Sequence, residues 1–253
     1  MYAFDSRVRY SETGEDGRLS LQGVMNYLQD CSTFQSEDLH LGVDVLRERK
    51  SAWWVQSWRL ELGKMPRLGD RITIGTWAYD FRGFYGYRNF VVLDEEKKYL
   101  VKADSVWFHY NLEQKRPQRP EHSMVEQYLQ EHCPRLEMGT IERKIAIGPG
   151  GEPGERIPVE KSHLDSNHHV NNAVYISMAR DALKRELPIC SLEVWYKKAA
   201  VLGDVIFPRI VKTQGGYDVS LEDGRGEGFA ALRFGLKNRD KEPQDPLKVK
   251  EEI

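Results

Sequence analysis

Between Asp165 and Asn172 the chain reads Asp-Ser-Asn-His-His-Val-Asn-Asn, which gathers a carboxyl group, several amides and two imidazoles in one short stretch. An imidazole titrates near neutrality and can take a proton from water. A carboxylate beside it orients the ring and favours its charged form, and an amide donates to a polarised carbonyl oxygen. The set suits hydrolysis of an activated acyl group: His169 as base or water-positioning group, Asp165 orienting it or binding the water, and Asn167 polarising the carbonyl or the water. The run Ala173 to Leu187 sets Val174, Ile176, Met178, Ala182 and Leu183 largely on one stripe, which predicts a helix with Asn171 and Asn172 at its start. A helix N-terminus offers unpaired N–H groups and the positive end of a dipole, so backbone amides near Val170 and Asn171 are candidates for an oxyanion site. Plainer readings compete. Asp and Asn before a helix often only satisfy backbone donors, and Asp and His are also zinc ligands. The remaining histidines, His40, His109, His122, His132 and His163, are scattered, with no His-x-x-x-His or Cys-x-x-Cys spacing, so no metal is expected. His168 reads as a partly exposed neighbour of the functional ring.

The elements that must position these groups are bounded by bulk properties. A chain of 253 residues holds one large domain or two smaller ones. Its 37 basic and 39 acidic residues give a net charge of -2, without the basic field of a nucleic-acid binder. Cys31, Cys133 and Cys190 are far apart and lack motif spacing, which suits a reducing compartment. The N-terminal residues form no apolar signal and no stretch is apolar enough to span a bilayer. These features predict a soluble cytoplasmic protein without a membrane span.

Two halves of the sequence lie over each other. Leu21 to Asp30 is an amphipathic helix candidate that matches Asn171 to Arg180. The strand-like run Trp53 to Leu62 leads to a Leu-Gly-Asp turn at Asp70 and to Arg71–Trp77; Ser191 to Ala199 leads to the same turn at Asp204 and to Val205–Val211. Alternating runs at Tyr87–Leu93 and Tyr99–Tyr110 complete the first set, Gly216–Leu221 and Gly228–Leu236 the second. Each half predicts a central helix followed by an antiparallel meander, an α+β layout. The units are drawn at 1–112 and 140–236, joined by a linker over 113–139 with a short helix near Val125 to His132, and followed by a charged tail over 237–253. Gly148 to Gly154 reads as a loop inside the second unit.

These residues resemble the acyl-acyl carrier protein thioesterases, tandem hot-dog proteins. Trp53 to Leu62, Pro66 to Asp70, Thr76-Trp77 and Ala103 to Phe108 look like that family's segments in order, and Asp165-x-Asn167-x-His169-Val170-Asn171-Asn172-x-x-Tyr175 matches its active-site signature. The resemblance runs from about Tyr10 to about Leu236. It implies hydrolysis of a fatty acyl thioester on the phosphopantetheine arm of acyl carrier protein, with no metal and no cofactor. It also implies an acyl cavity in the first unit and catalytic residues in the second. Trp53, Trp54, Trp58, Phe84 and Trp107 are candidates for lining that cavity, although strand aromatics are mainly core. The sequence departs from the family at Ala199 and Ala200, where a glutamate and a cysteine are expected. No thiol stands there for a covalent route. Glu193 lies roughly 20 Å away along an extended strand and is a weak substitute. Water activation is therefore expected to rest on His169 and Asp165, with Ala199 leaving room for the water. A cationic patch of Arg180, Lys184, Arg185, Lys197 and Lys198 could face an acidic carrier, though solvated surface explains it more simply. A silent acyl-binding module, an acyl-CoA hydrolase and a dehydratase are the competing functions on such a fold.

Overall fold

The computed structural model describes residues 1–130 and 132–237; apart from Lys237, the charged tail lies outside the described residues. The first half contributes β1 (Tyr2–Arg7), α1 (Leu21–Asp38), α2 (Val43–Glu48), β2 (Ser51–Leu62), β3 (Arg71–Arg82), β4 (Tyr85–Leu93) and β5 (Tyr99–Asn111). A connection follows with β6 (Arg116–Pro117) and α3 (His122–Leu129). The second half contributes β7 (Glu152–Pro153), β8 (Ile157–Pro158), α4 (Asn172–Ala182), β9 (Ile189–Tyr196), β10 (Val205–Thr213), β11 (Gly216–Glu222) and β12 (Gly228–Leu236).

All strands join one antiparallel sheet, whose path is β1-β3-β4-β5-β2-β9-β12-β11-β10-β7, with β8 also on β10 and β6 on β5. The order is a palindrome about the β2–β9 seam: β5, β4, β3 and β1 on one side answer β12, β11, β10 and β8 on the other. At the seam Trp58 faces Val194 and Leu60 faces Leu192, all four essentially without exposure. The two central helices lie antiparallel on the inner face, tied by Asn172 Nδ2 to Gln29 Oε1 at 3.2 Å and Ser177 Oγ to Gln22 Oε1 at 2.6 Å.

The helices differ from expectation in length. α1 runs on past Asp30 to Asp38, because Cys31, Ser32 and Gln35 continue the buried stripe with small or polar side chains that do not register as hydrophobic periodicity. α4 stops at Ala182 rather than Leu187; Lys184 takes a left-handed φ of 49° and Pro188 follows. The duplicated helices align with Leu21 opposite Asn172, one residue from the expected register, since Ser20 and Asn171 are the two N-caps. The short linker helix starts earlier than expected, at His122, and Glu152–Pro153 in the glycine-rich loop pairs with β10.

The outer face of the sheet is polar and carries the connection between the halves as a strap. Trp77 Nε1 donates to the Pro134 carbonyl at 2.8 Å, Arg135 pairs with the buried Asp104 at 2.9 Å, and Leu136 N–H donates to Asn89 Oδ1 at 2.9 Å. Further along, Arg233 Nη2 donates to the Ala146 carbonyl at 3.3 Å. On the inner side His109 lies buried against Trp53, ring centroids 5.0 Å apart, and neither of its ring nitrogens has a hydrogen-bond partner among the described residues. Burial holds its pKa below the usual 6.5, partly offset by the nearby backbone of Arg119 and Gln118.

Two outcomes follow from this packing. Leu60→Ala removes a buried side chain at the seam and is expected to cost about 2–5 kcal/mol, read as a lower midpoint in one cooperative denaturant transition; two separate transitions would show that the halves unfold independently. His109 binds a proton more readily in the unfolded chain, so stability is full above about pH 6.5 and is lost as pH falls through that value towards the lower folded pKa. His109→Phe should flatten the acid side of the stability profile between pH 7 and 5, measured by urea unfolding, and an unchanged slope would count against this account.

Candidate functional site

Leading into α4, a 3₁₀ turn over Lys161–His163 is followed by a bridge between Leu164 and Val170 that closes the loop holding Asp165 to His169. Asp165 organises this loop through its own carboxylate: Oδ1 accepts from the Asn167 N–H at 2.8 Å and the His169 N–H at 3.3 Å. Backbone bonds from Asp165 N–H to His169 O at 2.8 Å and from His168 N–H to Asp165 O at 3.0 Å complete the turn, with His168 in the left-handed region at φ 60°. The carboxylate makes no hydrogen bond to the His169 ring, so it sets the ring's position through the backbone rather than by direct contact.

The expected oxyanion donors are corrected. Val170 N–H donates to the Ala200 carbonyl and Asn171 N–H to the His163 carbonyl, each at 2.9 Å. An amide has one hydrogen, and these two are spent on holding the loop. Asn171 instead caps α4 by accepting from Ala173 N–H at 2.8 Å.

The same wiring occurs at the entry to α1. Gly14 N–H donates to Arg18 O, Gly17 N–H to Gly14 O, Leu19 N–H to Pro66 O and Ser20 N–H to Glu12 O, and Gly17 takes a left-handed φ of 68° where the second loop has His168. The loop is thus a property of the repeated unit. The side chains differ between the copies: Asp165, Asn167 and His169 stand in the second where the first has Gly14, Asp16 and Arg18.

Ala199 and Ala200 also change meaning. β9 ends at Tyr196, so neither alanine is on the strand expected to run to Ala199. Ala200 is fully buried; its N–H donates to the Tyr175 hydroxyl at 2.7 Å and its carbonyl receives the Val170 amide. Burial pushes the Tyr175 phenol up to about 12, leaving a neutral hydroxyl in that contact. Ala199 is exposed and does not border the cavity described below, so it does not open a space for water there. Glu193 points to the outer face, where it pairs with Arg59 and Arg233.

A cavity of about 740 Å³ lies in the first unit, and Asn167, His168 and His169 of the second unit form part of its wall. Trp53, Trp54 and Trp107 line it as expected. Trp58 and Phe84 do not: Trp58 is 1% exposed and packs into the core against Phe90 at 4.9 Å, while Phe84 sits at the β3–β4 turn against Tyr85 at 4.4 Å. Strand alternation alone could not place Trp58, because β2 carries a bulge between Val55 and Ser57 that shifts its inward-facing set. His168 borders the cavity alongside His169, although the sequence reading set it aside. Phe81, Arg88 and Tyr128 line it too and were missed, since a lone aromatic or arginine on a strand or helix carries no signal of its own. Three residues of the cationic patch are ion-paired on the surface, Arg180 with Glu186 at 2.9 Å, Lys184 with Glu155 and Lys198 with Asp223 at 3.5 Å, while Arg185 donates to Tyr217 Oη and Lys197 lies over the Trp195 ring.

Residues 1–128 match the family described as acyl-ACP thioesterase N-terminal domain, and residues 152–231 match its C-terminal domain. A chloroplastic acyl-(acyl-carrier-protein) hydrolase of Cuphea viscosissima is 24% identical over 206 residues, covering 76% of this chain and 50% of its own. The chloroplastic oleoyl-acyl carrier protein thioesterase 1 of Arabidopsis thaliana is 24% identical over 196 residues, covering 71% and 54%. The chain therefore spans about half the length of the curated relatives it matches. The crystal structure of an acyl-ACP thioesterase from Bacteroides thetaiotaomicron superposes with a TM-score of 0.80 at 23% identity, covering 93% of this chain and 97% of that one. The 12:0-ACP thioesterase of Umbellularia californica gives 0.78 at 18% identity, covering 93% and 96%. The fold is the α+β tandem hot-dog arrangement of those structures, and with both family domains matched in order the chain belongs to the acyl-ACP thioesterase family.

Proposed function

We propose that this protein hydrolyses acyl thioesters carried on the phosphopantetheine arm of acyl carrier protein, releasing a free fatty acid for lipid synthesis. The observation that carries this reading is the cavity itself: a tryptophan-lined space in the first unit, walled on one side by Asn167, His168 and His169 of the second. Its volume falls in the usual range for a small-molecule site, about 300–1,000 Å³. We read residues 1–112 as the acyl-binding unit, 113–139 as the linker and 140–236 as the unit carrying the chemistry, in a cytoplasmic setting.

A thioester is already activated, so the reaction needs a deprotonated water and stabilisation of the carbonyl oxygen rather than a protein nucleophile. In this reading His169 takes a proton from water, and the oxygen attacks the thioester carbon. The Asn167 side-chain amide donates to the carbonyl oxygen, a task the Val170 and Asn171 amides cannot perform. The C–S bond then breaks, the acid leaves, and the proton held by His169 returns to the thiolate of the carrier arm. Asp165 is a positioning residue that holds Asn167 and His169 by their backbone amides.

The test is thiol and fatty-acid release from acyl carrier protein thioesters. His169→Ala should lower kcat by about 10²–10⁴-fold. Asp165→Asn keeps an acceptor at Oδ1 and should lose less activity than Asp165→Ala, which leaves two amides without one. His169→Ala within about threefold of the unmodified protein would sink the assignment, and activity lost only in His168→Ala would move the base to that ring. Tight acyl binding without any turnover would favour a silent acyl-binding module instead.

A further inference from the structure

Arg88 stands on β4 in the wall of the same cavity and is 8% exposed. Its Nη1 donates to Gln35 Oε1 and to Thr76 Oγ1 at 3.1 Å, and its guanidinium lies 5.3 Å from the Tyr128 ring centroid. Among the described residues no carboxylate pairs with Arg88, and its Nε and Nη2 hydrogens have no protein acceptor. The neighbours cannot supply the charge: burial pushes the Cys31 thiol up to about 12 and holds the Tyr128 phenol above its usual range. An arginine stays charged inside a protein, and a buried cation without a counter-ion is costly.

The donors left over are the pair that forms the side-on fork of a guanidinium, the geometry that takes both oxygens of one carboxylate. The protein uses this fork elsewhere. Arg233 holds Asp218 through Nε and Nη2, each at 2.9 Å, and Arg135 reaches Asp104 through the same two nitrogens at 3.1 and 2.9 Å. At Arg88 the nitrogens are the same, and a cavity stands where the carboxylate would be. Ser36 and Tyr128, whose hydroxyls meet at 2.9 Å, add polar groups to the same stretch of wall.

From this juxtaposition we infer that the cavity receives an acyl chain ending in a carboxylate, a half-thioester of a dicarboxylic acid, with the distal carboxylate seated on the Nε–Nη2 fork of Arg88. This rests on the hydrolase reading for turnover and deepens it by naming the substrate class. Arg88 is a specificity residue, remote from the scissile bond. An apolar chain of equal length would bury methyl groups against an unmatched charge.

The experiment compares carrier-protein thioesters of matched length ending in methyl, hydroxyl or carboxylate, over a series of lengths. At the best length, kcat/KM for the carboxylate-ended chain should exceed that for the methyl-ended chain by at least about tenfold. Arg88→Met should reverse the order, with a gain on methyl-ended chains that a misfolded variant could not show. Equilibrium binding of a dicarboxylic acid monomethyl ester and of the matching dimethyl ester to the unmodified protein gives a second readout that needs neither turnover nor a variant. Tighter binding of the monoester, which alone of the two has a carboxylate for Arg88, supports the inference even if no thioester is hydrolysed, in which case the hydrolase reading alone fails. Equal or weaker binding of the monoester, or a preference for methyl- or hydroxyl-ended chains at every length, overturns it.

Discussion

The antiparallel pairing of β2 with β9 is the contact on which the rest of the structure depends. Each half is a curved sheet around one helix, and each alone would leave a strand edge open. Pairing Ser57–Glu61 with Ser191–Trp195 closes both edges at once and brings Trp58, Leu60, Leu192 and Val194 together beneath the two helices. The same pairing fixes where the second half's loop falls. With the sheets fused and α1 beside α4, residues 166–169 come to rest against the cavity of the first half. The Asp165–His169 loop and the cavity therefore belong to different halves of the duplication, and the seam brings them side by side.

Duplication also separates what the loop is for from what it does. The bonds that close the Gly14–Arg18 loop recur at Asp165–His169, and the Leu19 and Val170 amides are both spent on carbonyls across the unit, those of Pro66 and Ala200. A carbonyl serves this purpose whatever its side chain. Ala200 is thereby accounted for as a buried anchor whose size suits a spot beside the Tyr175 hydroxyl. In the first copy Gly14 has no side chain to offer; in the second, the Asp165 carboxylate takes the backbone amides of Asn167 and His169.

The layout was legible in the sequence because it rests on strong local signals: alternating strands, Gly-Asp turns and an Asp-x-Asn-x-His cluster before a capped helix. The parts that were not legible depend on tertiary placement. Whether the Val170 amide is free depends on Ala200, thirty residues away in sequence, and nothing near Val170 reports that bond. Trp53 and Trp58, five residues apart, would alternate to opposite faces, yet the bulge at Gln56 brings both to one face, where Trp53 borders the cavity and Trp58 packs in the core. The last turns of α1 hid because Ser32 and Gln35 are buried polar residues, and their burial makes sense only once the cavity and Arg88 are in view.

That hidden extension shapes the cavity of the first half. α1 has 18 residues and α4 has 11, about 27 Å against about 16 Å of helix. With Leu21 opposite Asn172, Cys31 falls opposite Ala182, and everything after it in α1 lacks a counterpart. Those unmatched turns carry Ser32, Thr33 and Ser36 into the cavity wall and Gln35 onto Arg88, while α2 and α3 add Leu46 and Tyr128. In the second half the helix ends at Ala182, and Phe229 and Phe234 are buried in the core. The second unit keeps a short helix, whereas the first carries its longer helix over a bulged strand, where the cavity wall combines tryptophans with Ser32, Ser36 and Arg88.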